Sequence, residues 1–377
     1  MRTLKISLLV FILSITMPAQ EGWFWQNPLP QGNNLESICS ADSNTLFAVG
    51  WYGIIIKSTD GGDNWIVQQS GTINQLNGVS FTNSELGIAV GTNGTMIKTT
   101  NGGGYWFNLT IGSEESLYSV KFVDENIVYA VGEAGTILKS TNSGLTWIFL
   151  TSGTTDDLLD LCFTDVNVGN VVGGSGKFLR TIDGGINWTQ IDFGTSALKG
   201  VYFYDSNLGI IVGTNGTIFR TIDGGLNWSW QGLAARYVFE DVFLINESLG
   251  IIAGWDIGTQ DGTVLRTTNG GTTWSFANIG EVKSFFMSVS LTSENSECIV
   301  GWEGIVIKST DFGENWIEKS SGTRMPLDAI FFSDELHGTA VGEYGANNTI
   351  LRTNDGGLHW YEQNSNSSGG LKRRFFY

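Results

Sequence analysis

The sequence predicts an all-β protein folded as a single β-propeller of four-stranded blades. Three observations predict it. One nine-residue phrase recurs eight times. Its tryptophans are separated by 41, 41, 41, 40, 46, 42 and 44 residues. Between them, short runs of alternating apolar and polar residues are punctuated by Gly- and Asn-rich turns, which is strand periodicity. A self-similar period of about 40–45 residues is that of a propeller blade.

The composition agrees. The chain of 377 residues carries 51 Gly and only 4 Pro. So many glycines would weaken helices. Aromatic residues at 12% and charged residues at only 15% exclude a disordered chain. The only two histidines, His337 and His359, leave little for a His-built metal site, and neither metal nor cofactor is expected. A net charge of −17 repels phosphate backbones and argues against a nucleic-acid partner.

Each unit reads as four strands. In the second, Leu76–Phe81 alternates, Gly87–Gly91 follows a turn, Asn93-Gly94 marks a hairpin, and Thr95–Thr99 gives a third strand. A turn at Asn101–Gly104 then leads to a fourth strand at Tyr105–Leu109. Third strands such as Gly53–Ile56 are apolar at consecutive positions, as expected of strands covered on both faces. A single such sheet cannot bury both faces alone, so the blades are expected to stack about an axis.

The repeated phrase obeys Ser/Thr-x-Asp/Asn-x-Gly-x-x-Trp, as in Ser58-x-Asp60-x-Gly62-x-x-Trp65. Its acidic or amide positions are Asp60, Asn101, Asn142, Asp183, Asp223, Asn269, Asp311 and Asp355. An Asp or Asn side chain closes a turn by accepting backbone N–H groups, and Gly permits a left-handed backbone. Trp buries a large area between blades with its N–H free for a partner. Eight equivalent copies favour a scaffold role. A cation ends every third strand: Lys57, Lys98, Lys139, Arg180, Arg220, Arg266, Lys308 and Arg352. That regularity also predicts a structural task.

The phrase resembles the Asp box of sialidases, sortilin-type receptors and some glycosidase propellers, where it is a structural turn. The fuller unit, Leu198-x-x-Val201-x-Phe203 through Gly213-x-x-Gly216-Thr217-Ile218 to Asp223-Gly-Gly225-x-x-Trp228, resembles the photosystem II stability/assembly factor-like propellers over residues 21–363. The resemblance implies a protein-binding propeller. Founding members assist photosynthesis by helping assemble the photosystem and bind through an arginine patch, whereas half of the cation series here is Lys. They have seven blades. Eight units here predict an eight-bladed ring, with seven blades and a leftover unit as the alternative.

Residues 1–19 have the layout of a secretory signal. Arg2 and Lys5 precede the apolar run Ile6–Met17, and Ala19 offers a cleavage point. Residues 20–363 form the propeller and 364–377 a tail rich in Gly and Ser, then basic. The expected destination is the periplasm, the medium or the cell surface. No stable membrane span is expected after cleavage, and the protein is expected to be a monomer. Trp23–Gln26 could supply an extra fourth strand. Cys39, Cys162 and Cys298 lie in strand-like runs and read as small buried side chains rather than a disulfide framework.

Function should lie where the repeat is broken. The loops joining second and third strands are plain in units two to five. They are Gly91-Thr-Asn-Gly94, Gly132-Glu-Ala-Gly135, Gly173-Gly-Ser-Gly176 and Gly213-Thr-Asn-Gly216. In units six, seven, eight and one they carry Trp255, Trp302, Tyr344, Trp51 and Tyr52, with Asp256, Asp261, Glu303 and Glu343. Arg236 and Arg324 lie in blade-to-blade loops of the same face. In a closed eight-membered ring these units are neighbours. They predict a face that binds a protein or a glycan through aromatics and carboxylates. The bland alternative is that each Trp packs on the next blade's loop.

No G-x-S-x-G, H-E-x-x-H or P-loop phrase is present. The expected function is therefore binding or scaffolding, without catalysis. The alternative is an Asp-box glycoside hydrolase using two of Asp256, Asp261, Glu303 and Glu343. A sialidase is disfavoured, because outside the cation series the body supplies only Arg236 and Arg324 in place of an arginine triad.

Overall fold

The computed structural model describes residues 33–318, apart from 64, 281, 283, 294 and 295, together with strands 329–332, 338–344, 347–353 and 361–363. The 1–19 leader, Trp23–Gln26, Arg324, Asp355 and the 364–377 tail lie outside the described residues, as do the side chains of Glu343 and Tyr344. Among the described residues, no helix is long and apolar enough to cross a membrane.

The repeats fold as read. Each of the eight units forms one four-stranded antiparallel sheet whose strands lie side by side in chain order. The units span 35–68, 76–108, 117–150, 158–192, 198–230, 237–276, 286–318 and 329–363. Second strands such as Gly209–Gly213 are buried at every position. Alternate residues go to opposite faces, and a neighbouring blade covers each face.

Units one to seven make a closed ring, and this corrects the expectation of eight blades. Seven apolar clusters among the described residues each span one interface. Between blades four and five, Val172 and Phe178 meet Leu198, Val201, Phe203 and Ile211. The seventh cluster joins Cys298, Val300 and Val306 of blade seven to Leu35, Ile38, Ala48, Ile56 and Trp65 of blade one. The Ile38 amide also donates to the Ser288 hydroxyl at 3.3 Å, and the Glu303 amide to Asn34 Oδ1 at 2.9 Å. Blade one thus covers the face of blade seven that an eighth blade would need. Among the described residues, the strands of unit eight pair only with one another. Glu343 and Tyr344 consequently lose the place between units seven and one that an eight-membered ring would have given them.

The boxed phrase works as a turn. Ser58 Oγ contacts Asp60 Oδ1 at 2.8 Å and accepts the Gly62 amide at 2.9 Å. Gly62 has φ +89, and a Cβ there would sit 2.6 Å from Cys298 Sγ of blade seven. Glycine is needed for the backbone and for the close approach of blades. The Trp65 indole donates to the Gly62 carbonyl at 3.1 Å, and the same bond recurs at Trp147, Trp228 and Trp316. In these four boxes the tryptophan's partner is its own turn, while the buried indole N–H groups of Trp106, Trp188 and Trp274 have no hydrogen-bond partner among the described residues. Burying a Trp removes about 200 Å² from water, roughly 5 kcal/mol as an upper bound, against about 1 kcal/mol for each turn bond. The ring contact dominates and the bonds set its geometry.

The cation series is structural. The side chain of Arg352 lies outside the described residues, and each of the other seven cations reaches one blade onward to the next boxed turn. Lys57 Nζ donates to the Gly102 carbonyl (2.9 Å), Lys98 to Ser143 (2.7 Å) and Lys139 to Gly184 (2.8 Å). Arg180 Nε donates to Gly224 (2.8 Å), Arg220 to Gly270 (2.6 Å) and Arg266 to Phe312 (2.7 Å). The seventh, Lys308, meets Asp63 of blade one at 3.2 Å and completes the circuit. All three cysteines are free. Burial pushes the Cys39 thiol up to about 12 and Cys162 to about 11, leaving them unreactive.

Two predictions follow from this closure. A double-mutant cycle on Lys308 and Asp63 in urea should give a coupling of about 0.5–1 kcal/mol, because Asp63 is partly exposed. Zero coupling would mean that this ion pair adds nothing to the closure made by the apolar contact. Separately, bonds from the Asn187 and Asn227 amides hold the Asp183 and Asp223 carboxyls down at about 2. A depressed carboxylate stabilises above its unfolded value near 4 and loses that contribution as pH falls towards 2. Replacing both by Asn should flatten the acid limb of a Tm–pH curve between those values, and an unchanged limb would refute the assignment.

Candidate binding face

A backbone irregularity positions the site. Near the start of the first strand, every ring blade shifts register by one residue, as between Leu35 and Ser37 or Phe239 and Asp241. The extra residues are Glu36, Asn77, Tyr118, Leu159, Lys199, Glu240 and Met287. A bulge re-aims its side chain out of the ladder. In three blades it reaches the residue fifteen positions on, between the second and third strands. Glu36 accepts the Trp51 indole N–H, Glu240 accepts that of Trp255 at 3.2 Å, and Tyr118 donates to Glu133 at 3.2 Å. Burial pushes the Glu36 carboxyl upward, against the Trp51 bond.

The aromatics named from sequence in units six, seven and one do come together, through a ring that sequence reading missed. Trp255 packs on Phe285 with centroids 4.7 Å apart, and Phe285 packs edge-on to Trp302 at 4.7 Å. Trp302 lies 6.2 Å from Trp51, which lies 6.4 Å from Tyr52. The result is a continuous arc over blades six, seven and one. The tryptophans are half-buried, so the bland reading holds for part of their surface, while Tyr52 is 70% exposed.

Tyr52 and Glu303 occupy the left-handed centres of their turns, with φ of 56° and 58°. Asn93 and Asn215 fill that position in blades two and five. Asn tolerates this conformation at little cost, and a bulky side chain does not. Blade seven has a second peculiarity. Its bulge residue is Met287, which offers no carboxylate, and the buried Trp302 indole N–H has no hydrogen-bond partner among the described residues.

The remaining residues named from sequence fare differently. Asp256 is buried and held by Arg236 at 2.8 Å and by the Gly258 amide at 2.8 Å. Arg236 also stacks over the Tyr237 ring at 4.9 Å. These two brace the long loop of blade six. The carbonyl of Asp261 closes that loop by accepting the Asp256 amide at 2.9 Å. Phe285, Glu36 and Glu240 were missed. Aligning the units would have exposed Leu35-Glu36 and Phe239-Glu240 against Leu76-Asn77. Among the described residues, no group of three or more His, Cys, Asp or Glu side chains is placed to hold a metal. A separate open groove of about 570 Å³ lies between blades three and four, and its Lys177 is already paired with Asp192 at 2.8 Å.

This geometry defines a ring of Asp-box blades with a rigid aromatic and carboxylate surface on the face opposite the boxes. Residues 64–152 match the family model described as photosynthesis system II assembly factor YCF48. That stretch carries the pattern of the assembly-factor family, and the chain as a whole is an Asp-box β-propeller, as the repeat phrase implied. Among solved structures it is similar to YCF48 bound to D1 peptide, with TM-score 0.63 and 20% identity over 80% of this chain and 99% of that one. It is also similar to YCF48 from Cyanidioschyzon merolae, with TM-score 0.63 and 18% identity over 75% and 97%. A third likeness is the GH74 enzyme of Niastella koreensis, with TM-score 0.68 and 14% identity over 91% of this chain and 67% of that one. At these identities the structural likenesses establish the fold. No curated protein matches the chain in sequence.

Proposed function

We propose that this chain is an exported, non-catalytic binding or assembly-scaffold propeller that holds a segment of another protein against the arc of blades six, seven and one. The observation that carries the reading is the arc itself. Four edge-on or tilted aromatic pairs end in a Tyr52 that is held outward at φ 56 and 70% exposed. Aromatic side chains anchor protein interfaces because they bury large area at low entropic cost. A YCF48 propeller with bound D1 peptide, 20% identical to this chain, supports a protein segment as the type of ligand.

The glycosidase reading is weaker. A general acid and a base or nucleophile must face one glycosidic bond. Asp256 is engaged by Arg236 and a loop amide, and so is poorly placed to serve.

Three arms test the proposal. A photo-crosslinking residue at Tyr52 should trap a discrete protein adduct in the native host, while the same residue at Ile186, exposed on the boxed face, should not. Equal adducts at both would overturn the arc. Reducing-sugar release from a polysaccharide panel that is abolished by Glu303→Gln would reverse the order of binder and enzyme. Intact-mass analysis of the exported protein should place its N-terminus at Gln20, and a retained Met1 would refute cleavage.

A further inference from the structure

We propose that the arc recognises a cationic segment of its partner, an extended peptide with Lys or Arg side chains spaced along it. The inference rests on the reading above and names the chemistry of that ligand.

Charge is the first argument. On the face that carries the arc, the turns and blade-to-blade loops present Glu114, Glu115, Glu133, Asp157, Asp261 and Glu303. The described cations there are already paired. Lys177 holds Asp192 at 2.8 Å, Lys199 holds Glu240 at 3.1 Å, and Arg236 holds Asp256 at 2.8 Å. An anionic ligand would therefore have to break an existing ion pair to find a partner. A cationic one meets carboxylates that lack a counter-charge, on a chain whose net charge of −17 draws it in from a distance.

Geometry is the second. Trp51, Tyr52 and Trp302 form consecutive ring contacts, and Glu303 occupies the turn directly after Trp302, its amide tied to Asn34 of blade one. Ring faces beside carboxylates suit guanidinium and ammonium groups, which gain from both cation–π and ionic contact. The third argument is the Trp302 indole. Trp51 and Trp255 spend their N–H groups on Glu36 and Glu240, whereas the buried Trp302 N–H has no partner among the described residues. A carbonyl of a peptide lying along the arc would supply the acceptor, and a buried donor left unpaired is costly. A peptide offers both features at once, alternating side-chain cations with backbone carbonyls.

The test uses the full chain and three probes: an arginine–glycine–serine repeat peptide, its glutamate counterpart, and a neutral glucan oligosaccharide. Binding is read by titration calorimetry and by tryptophan fluorescence, since the arc holds three indoles. The cationic peptide should bind saturably, and tightest below physiological ionic strength. Glu303→Lys should weaken it about tenfold and Tyr52→Ala several-fold. Glu85→Lys, in a turn on the boxed face, should leave it unchanged. Equal weakening by Glu303→Lys and Glu85→Lys would show general charge attraction and overturn the proposal. Binding of the glutamate peptide or the oligosaccharide, lost on Tyr52→Ala, with none of the cationic peptide, would overturn the cation assignment and leave the arc as a binding site. If the cationic peptide does not bind and the Tyr52 crosslink also finds no partner, both readings fall.

Discussion

Each sheet of the seven-membered ring is apolar on both faces, and that constraint governs the structure. A strand such as Gly209–Gly213, buried at every position, cannot exist on a free surface. It needs a neighbour on either side, and each neighbour inherits the same need. The only finite arrangement that satisfies all of them is a closed ring. The boxed tryptophans supply much of the contact between blades, and the cations at the ends of third strands tie each blade to the next turn. Neither device has room to evolve a private function while the ring depends on it. The regular half of the molecule is thereby assigned to stability.

The opposite face is under looser constraint. Its turns need only reverse the chain, and blades two and five do so with Asn-Gly. Wherever the sequence there departs from the plainest solution, the departure calls for another explanation. Tyr52 and Glu303 accept a left-handed backbone that Asn would adopt more cheaply. Glu36 and Glu240 use the first-strand bulge to fix the indoles of Trp51 and Trp255. Such bonds orient the rings before any ligand arrives and lower the entropy lost on binding.

Much of this was legible in the sequence. The period of about 41 residues specified four strands per unit, and the regularity of Lys57 through Lys308 marked them as structural before a single bond was seen. The number of blades was not legible. Unit eight carries the same pattern as the others, and pattern alone cannot say which unit covers the last open face. That choice is made by complementarity between blade seven and blade one, where Gly62 admits Cys298 and Asp63 receives Lys308. The aromatic cluster was legible as a set of departures from the repeat. Its internal wiring was not, because the fifteen-residue link between a bulge and a turn appears only when the bulge is known. Arg236 was read as a ligand group for want of its partner, and Asp256 supplies that partner.

Blade seven shows how one substitution can separate scaffold from site. Blades six, seven and one each place a Trp at the same turn position, and in six and one a bulge glutamate completes the indole. In blade seven Met287 stands at the bulge, so Trp302 is packed by Phe285 and Trp51 and its indole N–H has no hydrogen-bond partner among the described residues. The two completed pairs hold the flanks rigid, and the incomplete one lies between them. In a ring built from near-identical parts, selection could reach a binding function most directly by leaving one part unfinished where its neighbours keep it in place.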